Sequence, residues 1–462
     1  MHLSRRFVAG WCRDGELPRI SEVSDRVASS ADVNSVSLVG RLKRYRETTF
    51  SAMKVRNYRL YFAGQGISLI GTWMQAIGQS WLVLKLTGSG TAVGIVAAAQ
   101  FLPVFVLAPF GGVLADRFPK RRTLIYTQTA AAVLAVTLGV LVATGAIRVW
   151  MIVLLALGLG VINALDNPTR QSFVHELVGR DELRNAVTLN SLIVNLTRIV
   201  GPALAGLIIA KFGMAPCFFI NSASFVAVLV CLSLMRASEL RPSTPVQAAK
   251  GQLREGLAYV RNSPRILTVL LMMALIGTFT YEFQVTLALL ARFTFKGNAD
   301  AYALLTSAMG VGAVIGGLAT AGRRTAALRG LVVSAFGFGV TMLLLAAAPT
   351  LTAALLVMVA IGACSLAFTS LTNTILQLES AQQMRGRVMS LWTVAFLGST
   401  VLGAPLVGWV GEYVSPRASL VVGAVAALIA GVVGLVISRR PGIRAPLQPV
   451  TPPPFAEKEE FA

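Results

Sequence analysis

Twelve apolar runs, each long enough for a helix to cross about 30 Å of hydrocarbon, alternate with short polar stretches along this chain. They predict membrane-spanning helices at 60–84, 91–114, 123–144, 149–167, 186–209, 214–235, 266–290, 300–322, 329–348, 351–371, 388–410 and 418–438. The first run carries a second pattern. Gln65, Ser68, Thr72, Gln75 and Gln79 recur at intervals of three and four residues, which stacks them on one helix face. Amides facing lipid would go unsatisfied, so this face is expected either to line a cavity or to bond a neighbouring helix. Trp73 and Trp81 fall on other faces and read as interfacial or packing residues.

The longest internal loop, 236–265, divides the runs six and six. Within it, "LREGLAYVRNSP" (Leu253 to Pro264) sets Leu253, Leu257 and Val260 at helical spacing opposite charges, predicting a short amphipathic helix along the inner membrane surface. The two sides of the loop look like diverged copies. "IVGPALAGLIIAKFG" (Ile199 to Gly213) and "VLGAPLVGWVGEYV" (Val401 to Val414) share a glycine-proline order in the fifth and eleventh runs. "GGVLADRFPKRRT" has a degenerate echo in "GGLATAGRRT" (Gly316 to Thr325). The expectation is an all-α integral membrane protein with two pseudo-symmetric six-helix halves, 53–235 and 266–438, and a substrate site near the midplane between them. Residues 1–52 and 439–462 have no long apolar run and read as disordered cytoplasmic extensions. Met53, just before "KVRNYRLYFAGQ", is an alternative start.

A formal net charge of +21 raises the question of a nucleic-acid partner, and the position of the bases answers it. With the N-terminus taken as cytoplasmic, 34 of the 41 Lys and Arg lie in inner segments. Six lie in outer loops (Lys85, Arg148, Lys211, Arg292, Lys296, Arg417), and Arg198 falls inside a span. Such asymmetry is the positive-inside pattern, which puts both termini in the cytoplasm and makes the bilayer, not nucleic acid, the partner. Cys12, Cys217, Cys231 and Cys364 have neither pairing nor metal spacing, and His2 and His175 are the only histidines, so no metal, cofactor or disulfide framework is expected. No Gly-Lys dipeptide occurs, hence no P-loop, which leaves an ion gradient or the substrate's own gradient as the energy source.

Five charges crowd into the seven positions from Asp116 to Arg122 in "GGVLADRFPKRR". This stretch resembles the loop motif of the major facilitator superfamily, with Gly112, Leu114, Asp116, Arg117, Lys120, Arg121 and Arg122 at matching positions and Pro119 where glycine is usual. "RNYRLYFAGQGISLIGTWMQ", "QSWLVLKLTGSG" and "GPALAG" resemble the subgroup containing bacterial enterobactin exporters and actinobacterial drug-efflux permeases. The resemblance covers roughly residues 50 to 438. It implies the major facilitator fold, multi-pass residence in the inner (plasma) membrane, and monomeric function. In the motif, Asp116 is expected to form a latch with Arg117 or with Arg170 in "DNPTRQ", while Lys120, Arg121 and Arg122 hold the loop on the anionic leaflet. "GPALAG", with Gly201, Pro202 and Gly206, is similar to an antiporter motif and would form a tight helix contact.

Charges inside spans need a reason, since burying one at mid-membrane costs about 2.5–3.5 kcal/mol on insertion scales. Glu282, with Thr278, Tyr281 and Gln284 around it, is the first candidate for a protonatable or cation-binding group, unless it lies near the outer headgroups. Asp166 reads as a structural partner of Arg170, as a second member of the inner latch, or as a proton carrier. Arg198 shares a face with Ser191 and Asn195; an anionic substrate, a carboxylate across the cavity or backbone carbonyls are equally open as its contact. The function expected is proton-coupled efflux of small amphipathic organic molecules such as drugs, secondary metabolites or siderophores. A solute importer or lipid flippase on the same fold, or a non-transporting membrane sensor, remains open. An enzyme is the least favoured class, because no cluster of His, Cys or carboxylates lies within the spans.

Overall fold

The computed structural model describes residues 50–241, 252–321 and 328–439, with the backbone alone described at 108–117, 180, 252, 253, 320 and 321. Six long helices form the first half: α1 (Arg56–Thr87), α2 (Gly90–Arg117), α3 (Lys120–Ala143), α4 (Val149–Gly179), α5 (Asp181–Phe212) and α6 (Ala215–Ser233). The linker contributes α7 (Gln252–Arg261). The second half contains α8 (Pro264–Phe279), α9 (Phe283–Leu289), α10 (Ala299–Ala321), α11 (Leu328–Ala347), α12 (Leu351–Glu379), α13 (Arg385–Thr393), α14 (Thr400–Tyr413) and α15 (Pro416–Ser438). Helices α8 and α9 make one discontinuous span that runs on through a π-helical turn at Leu290–Thr294, and α13 and α14 make one span joined through a π-helical turn at Val394–Gly398. Eleven spans among the described residues are long and apolar enough to cross a membrane. Helix α1, 32 residues long, is the twelfth by position; its glutamines lower its hydropathy.

Local chemistry sets the helix ends. The Ser89, Thr350 and Ser415 side chains accept from the third residue onward and cap α2, α12 and α15. Gly88 and Gly179 take left-handed φ values of 67° and 71°, ending α1 and separating α4 from α5. Both α4 and α12 run past the predicted limits of 167 and 371, because their polar inner turns remain helical outside the apolar run. Phe50, Ser51 and Ala52, at the edge of the predicted extension, are among the described residues. Ala52 is fully buried, and its amide donates to Asn185 at 3.0 Å. The remaining predicted extensions, 1–49 and 440–462, lie outside the described residues.

The glycine-proline copies occupy equivalent places in the two halves. Gly201 abuts Trp73 of α1 and Gly403 abuts Thr278 of α8, each inside its own half. One and a half turns on, Gly206 abuts Ala303 of α10 and Gly408 abuts Gly90 of α2, each across the interface. Small residues at these points let backbones approach where lipid offers no hydrophobic drive. The two halves therefore meet mainly through α2 with α14 and α5 with α10. Those crossings lie toward the end of the bundle remote from the chain termini, here called the far end. Glu412 joins them there, its carboxylate accepting from the Ser89 hydroxyl at 2.6 Å and the Thr91 amide at 3.0 Å. From the second half, Arg292 donates to the Leu84 carbonyl at 3.0 Å. Among the described residues no comparable packing joins the halves at the opposite, terminal end.

Helix α7 docks on the second half through Glu255 and Arg387 at 2.7 Å and through the Tyr259 hydroxyl, which accepts from the Ala381 amide. Val260 is buried, whereas Leu257 stays exposed, so the predicted apolar face is shared between protein and surroundings. The Leu253 side chain lies outside the description.

Candidate functional site

Two cavities that share part of their walls occupy the bundle. The first, about 370 Å³, lies mainly within the first half and is walled by amides from α1 to α6, with Gln284 of α9 at its edge. The second, about 280 Å³, lies between the halves and is lined by Trp73, Phe101, Arg198, Tyr281, Glu282 and Phe396 among others. Trp73, Ala76 and Gln284 border both.

The stripe on α1 lines the first cavity with all five members, Gln65, Ser68, Thr72, Gln75 and Gln79. Two of its amides also bond to neighbours, so cavity lining and interhelical bonding coexist: Gln75 accepts from Asn221 at 2.7 Å, and Gln65 accepts from Arg170. Toward the terminal end, Asp166 accepts from Thr127 at 2.6 Å and Gln128 at 2.9 Å and pairs with Arg170. Arg170 is thus engaged by Asp166 and Gln65. The side chains of Asp116 and Arg117, and the surroundings of Gly112, lie outside the description, so the predicted latch has no described geometry.

The basic residues after Pro119 do not stand as a group on the lipid surface, which corrects the expectation for two of them. Lys120 is buried and bonded to Glu176 at 2.7 Å, because the inner extension of α4 carries that carboxylate beneath the start of α3. Arg121 donates to the Leu232 and Ser233 carbonyls at the open end of α6, while Arg122 is exposed. Removing one member of a buried pair strands the other charge, at a cost of about 3–5 kcal/mol. Glu176→Ala is therefore expected to lower the thermal unfolding midpoint of the purified protein clearly. The double substitution Lys120→Met with Glu176→Leu should restore most of it, and thermal denaturation of all three proteins checks this.

In the interhalf cavity the seventh span is broken where sequence periodicity predicts one continuous helix. Helix α8 ends at Phe279, the Thr280 and Tyr281 amides both close on the Ile276 carbonyl at 2.8 and 3.2 Å, and the ladder restarts with the Val285 and Thr286 amides on the Glu282 carbonyl at 3.1 and 3.0 Å. Such interruptions place side chains and free backbone groups at midplane sites. Glu282 is 3% exposed; Thr400 hydrogen-bonds its carboxyl group, while its Oε1 has no partner. Its carboxyl group lies in the protein interior. Arg198 faces the same cavity, with its guanidinium 5.4 Å from the Trp73 ring centroid and its buried Nε without a partner. Tyr281 is fixed by hydrogen bonds with the Ser365 carbonyl and Thr369 hydroxyl, both at 2.7 Å, and presents its ring to Phe338 and Phe396.

Two predicted lining residues are placed elsewhere. Asn195 donates to the Ser191 carbonyl one turn back, and Thr278 donates to Ala274 against Gly403; neither borders the two cavities. Trp73, read from sequence as interfacial or packing, is instead the shared wall of both cavities, because the packing of Gly201 against its Cβ turns the indole inward. Residues with no sequence signal include Glu176, Glu412 and Tyr302, the last stacked on Trp81 with ring centroids 6.4 Å apart. Each becomes recognisable only when two helices meet.

An all-helical bundle of two six-span halves, closed on a central polar and aromatic cavity, defines a transporter of the major facilitator type. Comparison with known families narrows this: the chain belongs to the transmembrane secretion effectors of that superfamily, whose family model matches residues 47–459. It is 27% identical over 384 residues to the enterobactin exporter EntS of Salmonella typhimurium, covering 82% of this chain and 92% of that protein. Against the multidrug efflux pump Tap of Mycolicibacterium fortuitum it is 26% identical, covering 82% and 93%. A shorter match, 32% identical to the staphyloferrin A transporter of Staphylococcus aureus, covers 38% of this chain and 45% of that protein. Among solved structures, a bacterial homologue of the lysosomal transporter Spinster superposes with a TM-score of 0.66 at 16% identity, covering 83% and 97%. The protein is a multi-pass membrane transporter of small molecules and not an enzyme.

Proposed function

We propose that this protein is a proton-coupled exporter of small amphipathic organic molecules, working by alternating access between its two halves in the inner membrane. The observation that carries the reading is the interhalf cavity, where a cation on an aromatic ring and a carboxyl group stand within one aromatic enclosure with no ion pair among the described residues. Buried charges persist in a membrane when a ligand or a proton completes them. The 34 to 6 distribution of bases supports cytoplasmic termini, so the far end is external and the conformation described is closed to the outside. Exporting relatives support the direction of transport. The cavities are complete within one chain, which supports a monomer.

Arg198 is assigned to the substrate's anionic or acceptor group and Glu282 to the proton. Asp116, Asp166 and Arg170, with the bases that follow Asp116, are assigned to the cytoplasmic-side network that must rearrange when that side closes. The test is accumulation of a dye and drug panel by energised pump-deficient bacteria expressing wild-type protein or Arg198→Gln at matched membrane levels. Wild-type cells are expected to accumulate less of at least one compound, with the difference abolished by a protonophore. Arg198→Gln should weaken export of anionic compounds about tenfold, the scale of one charge-assisted contact. Raised accumulation by wild type would identify an importer, and export indifferent to the protonophore would remove protons from the mechanism.

A further inference from the structure

The amide-walled chamber has no evident use for a charge. Its own two, Asp166 and Arg170, already answer each other. What it offers is neutral hydrogen-bonding capacity. Gln79 and Gln100 line the chamber, Gln284 borders both the chamber and the interhalf cavity, and among the described residues none of these side chains has a protein partner. Farther in, Gln128 is 2% exposed and donates to Asp166, yet its Oε1 is buried without a partner. Amides held together by protein packing would bond to one another, as Gln75 and Asn221 do. These do not.

We propose that the chamber is a subsite for a neutral, hydroxyl-rich group, and that the preferred substrates are aromatic anions bearing such a group, a glycoside being the simplest instance. This rests on reading the interhalf cavity as the transport site. The anion and ring lie against Arg198 and Trp73, and the hydroxylated arm extends past the shared wall of Trp73, Ala76 and Gln284 into the chamber. A hydroxyl is donor and acceptor at once and rotates to suit its neighbours, which matches a wall of amides. An apolar arm would leave those amides desolvated and unpaired, and sites built to bond hydroxyls reject analogues lacking them strongly. A charged arm would find no free counter-charge among the described chamber walls. At about 370 Å³ the chamber falls in the range of small-molecule sites.

The experiment is isothermal titration calorimetry on the full chain in lipid nanodiscs with three probes: para-hydroxybenzoate, its O-glucoside, and its O-cyclohexyl ether. All three carry the same carboxylate and ring. The last two have arms of similar bulk, with and without hydroxyls. The glucoside is expected to bind at least about tenfold more tightly than the ether. Gln79→Leu and Gln100→Leu should each shrink that gap threefold or more, whereas Gln100→Asn should keep most of it. A glucoside that binds no more tightly than the ether, including no binding by either, overturns the assignment. So does a gap unchanged in both leucine variants. Failure of the export reading is distinguishable, since it appears in the dye and drug accumulation assay whatever the calorimetric gap.

Discussion

Gly94→Val is expected to reduce transport about 10- to 100-fold while leaving a folded protein whose far end stays open. At this position on α2 a Cβ would lie 2.2 Å from the Ala404 carbonyl oxygen and 2.8 Å from the Pro405 Cα, both backbone atoms of α14. Backbone cannot move aside as a side-chain tip can, so the two helices must separate. Overpacking of this kind costs about 1–3 kcal/mol, and every 1.4 kcal/mol shifts a two-state balance about tenfold. That cost falls on the state with the far end closed, because Gly94 meets the other half only there. The measurement pairs transport with crosslinking of Ser89→Cys to Glu412→Cys, sites whose native side chains lie within hydrogen-bonding distance. A short bifunctional thiol reagent should join them in the otherwise wild-type chain and fail to do so with Gly94→Val. Gly312→Val is the contrast. Its Cβ would meet the Val359 carbonyl oxygen at 1.8 Å inside the second half, so it should lower the yield of folded protein instead. Equal loss of folded protein in both variants would overturn the gating account.

That contrast also marks what could be read in the sequence. Hydrophobic run length delivered the helical bundle, and the repeated glycine-proline order delivered the pairing of the halves, since small residues announce close contacts wherever they fall. The face of α1 was legible because amides in an apolar run have few places to go. The break before Glu282 was not: residues 280–282 are Thr, Tyr and Glu, with no proline or glycine to punctuate the period, and the Thr280 hydroxyl bonds to Gly423 on α15. Lys120 was misread for a related reason. In sequence it belongs to a basic cluster, and its partner Glu176 lies 56 residues away on the part of α4 beyond the apolar run. Trp73 shows the same limit, its inward direction being set by Gly201 on α5. Periodicity along one helix is written locally, whereas the side chain that closes a site belongs to another helix.

Glu282→Gln is expected to abolish uphill transport driven by an imposed pH gradient in proteoliposomes, a loss of tenfold or more, while exchange of substrate across the membrane persists. The carboxyl group has Thr400 as its hydrogen-bond neighbour, one unpartnered oxygen, and no cation paired with it among the described residues. Glutamine keeps the shape and the polar contact but cannot carry a proton. Substrate can still bind to Arg198 and cross as the halves rock, so equilibrium exchange survives. The gradient then has nothing to act upon. One charge moved through 100 mV supplies about 2.3 kcal/mol, enough for roughly a 40-fold solute gradient, so losing a single coupled proton removes the whole drive if the stoichiometry is one. Arg198→Gln should give the complementary pattern, with a raised KM for anionic substrates in both exchange and gradient-driven modes. Glu282→Gln protein that still responds to the pH gradient would move coupling to another carboxylate. Asp166 is the next to test, because it borders the adjoining chamber and holds Thr127, Gln128 and Arg170 together at the side that must close.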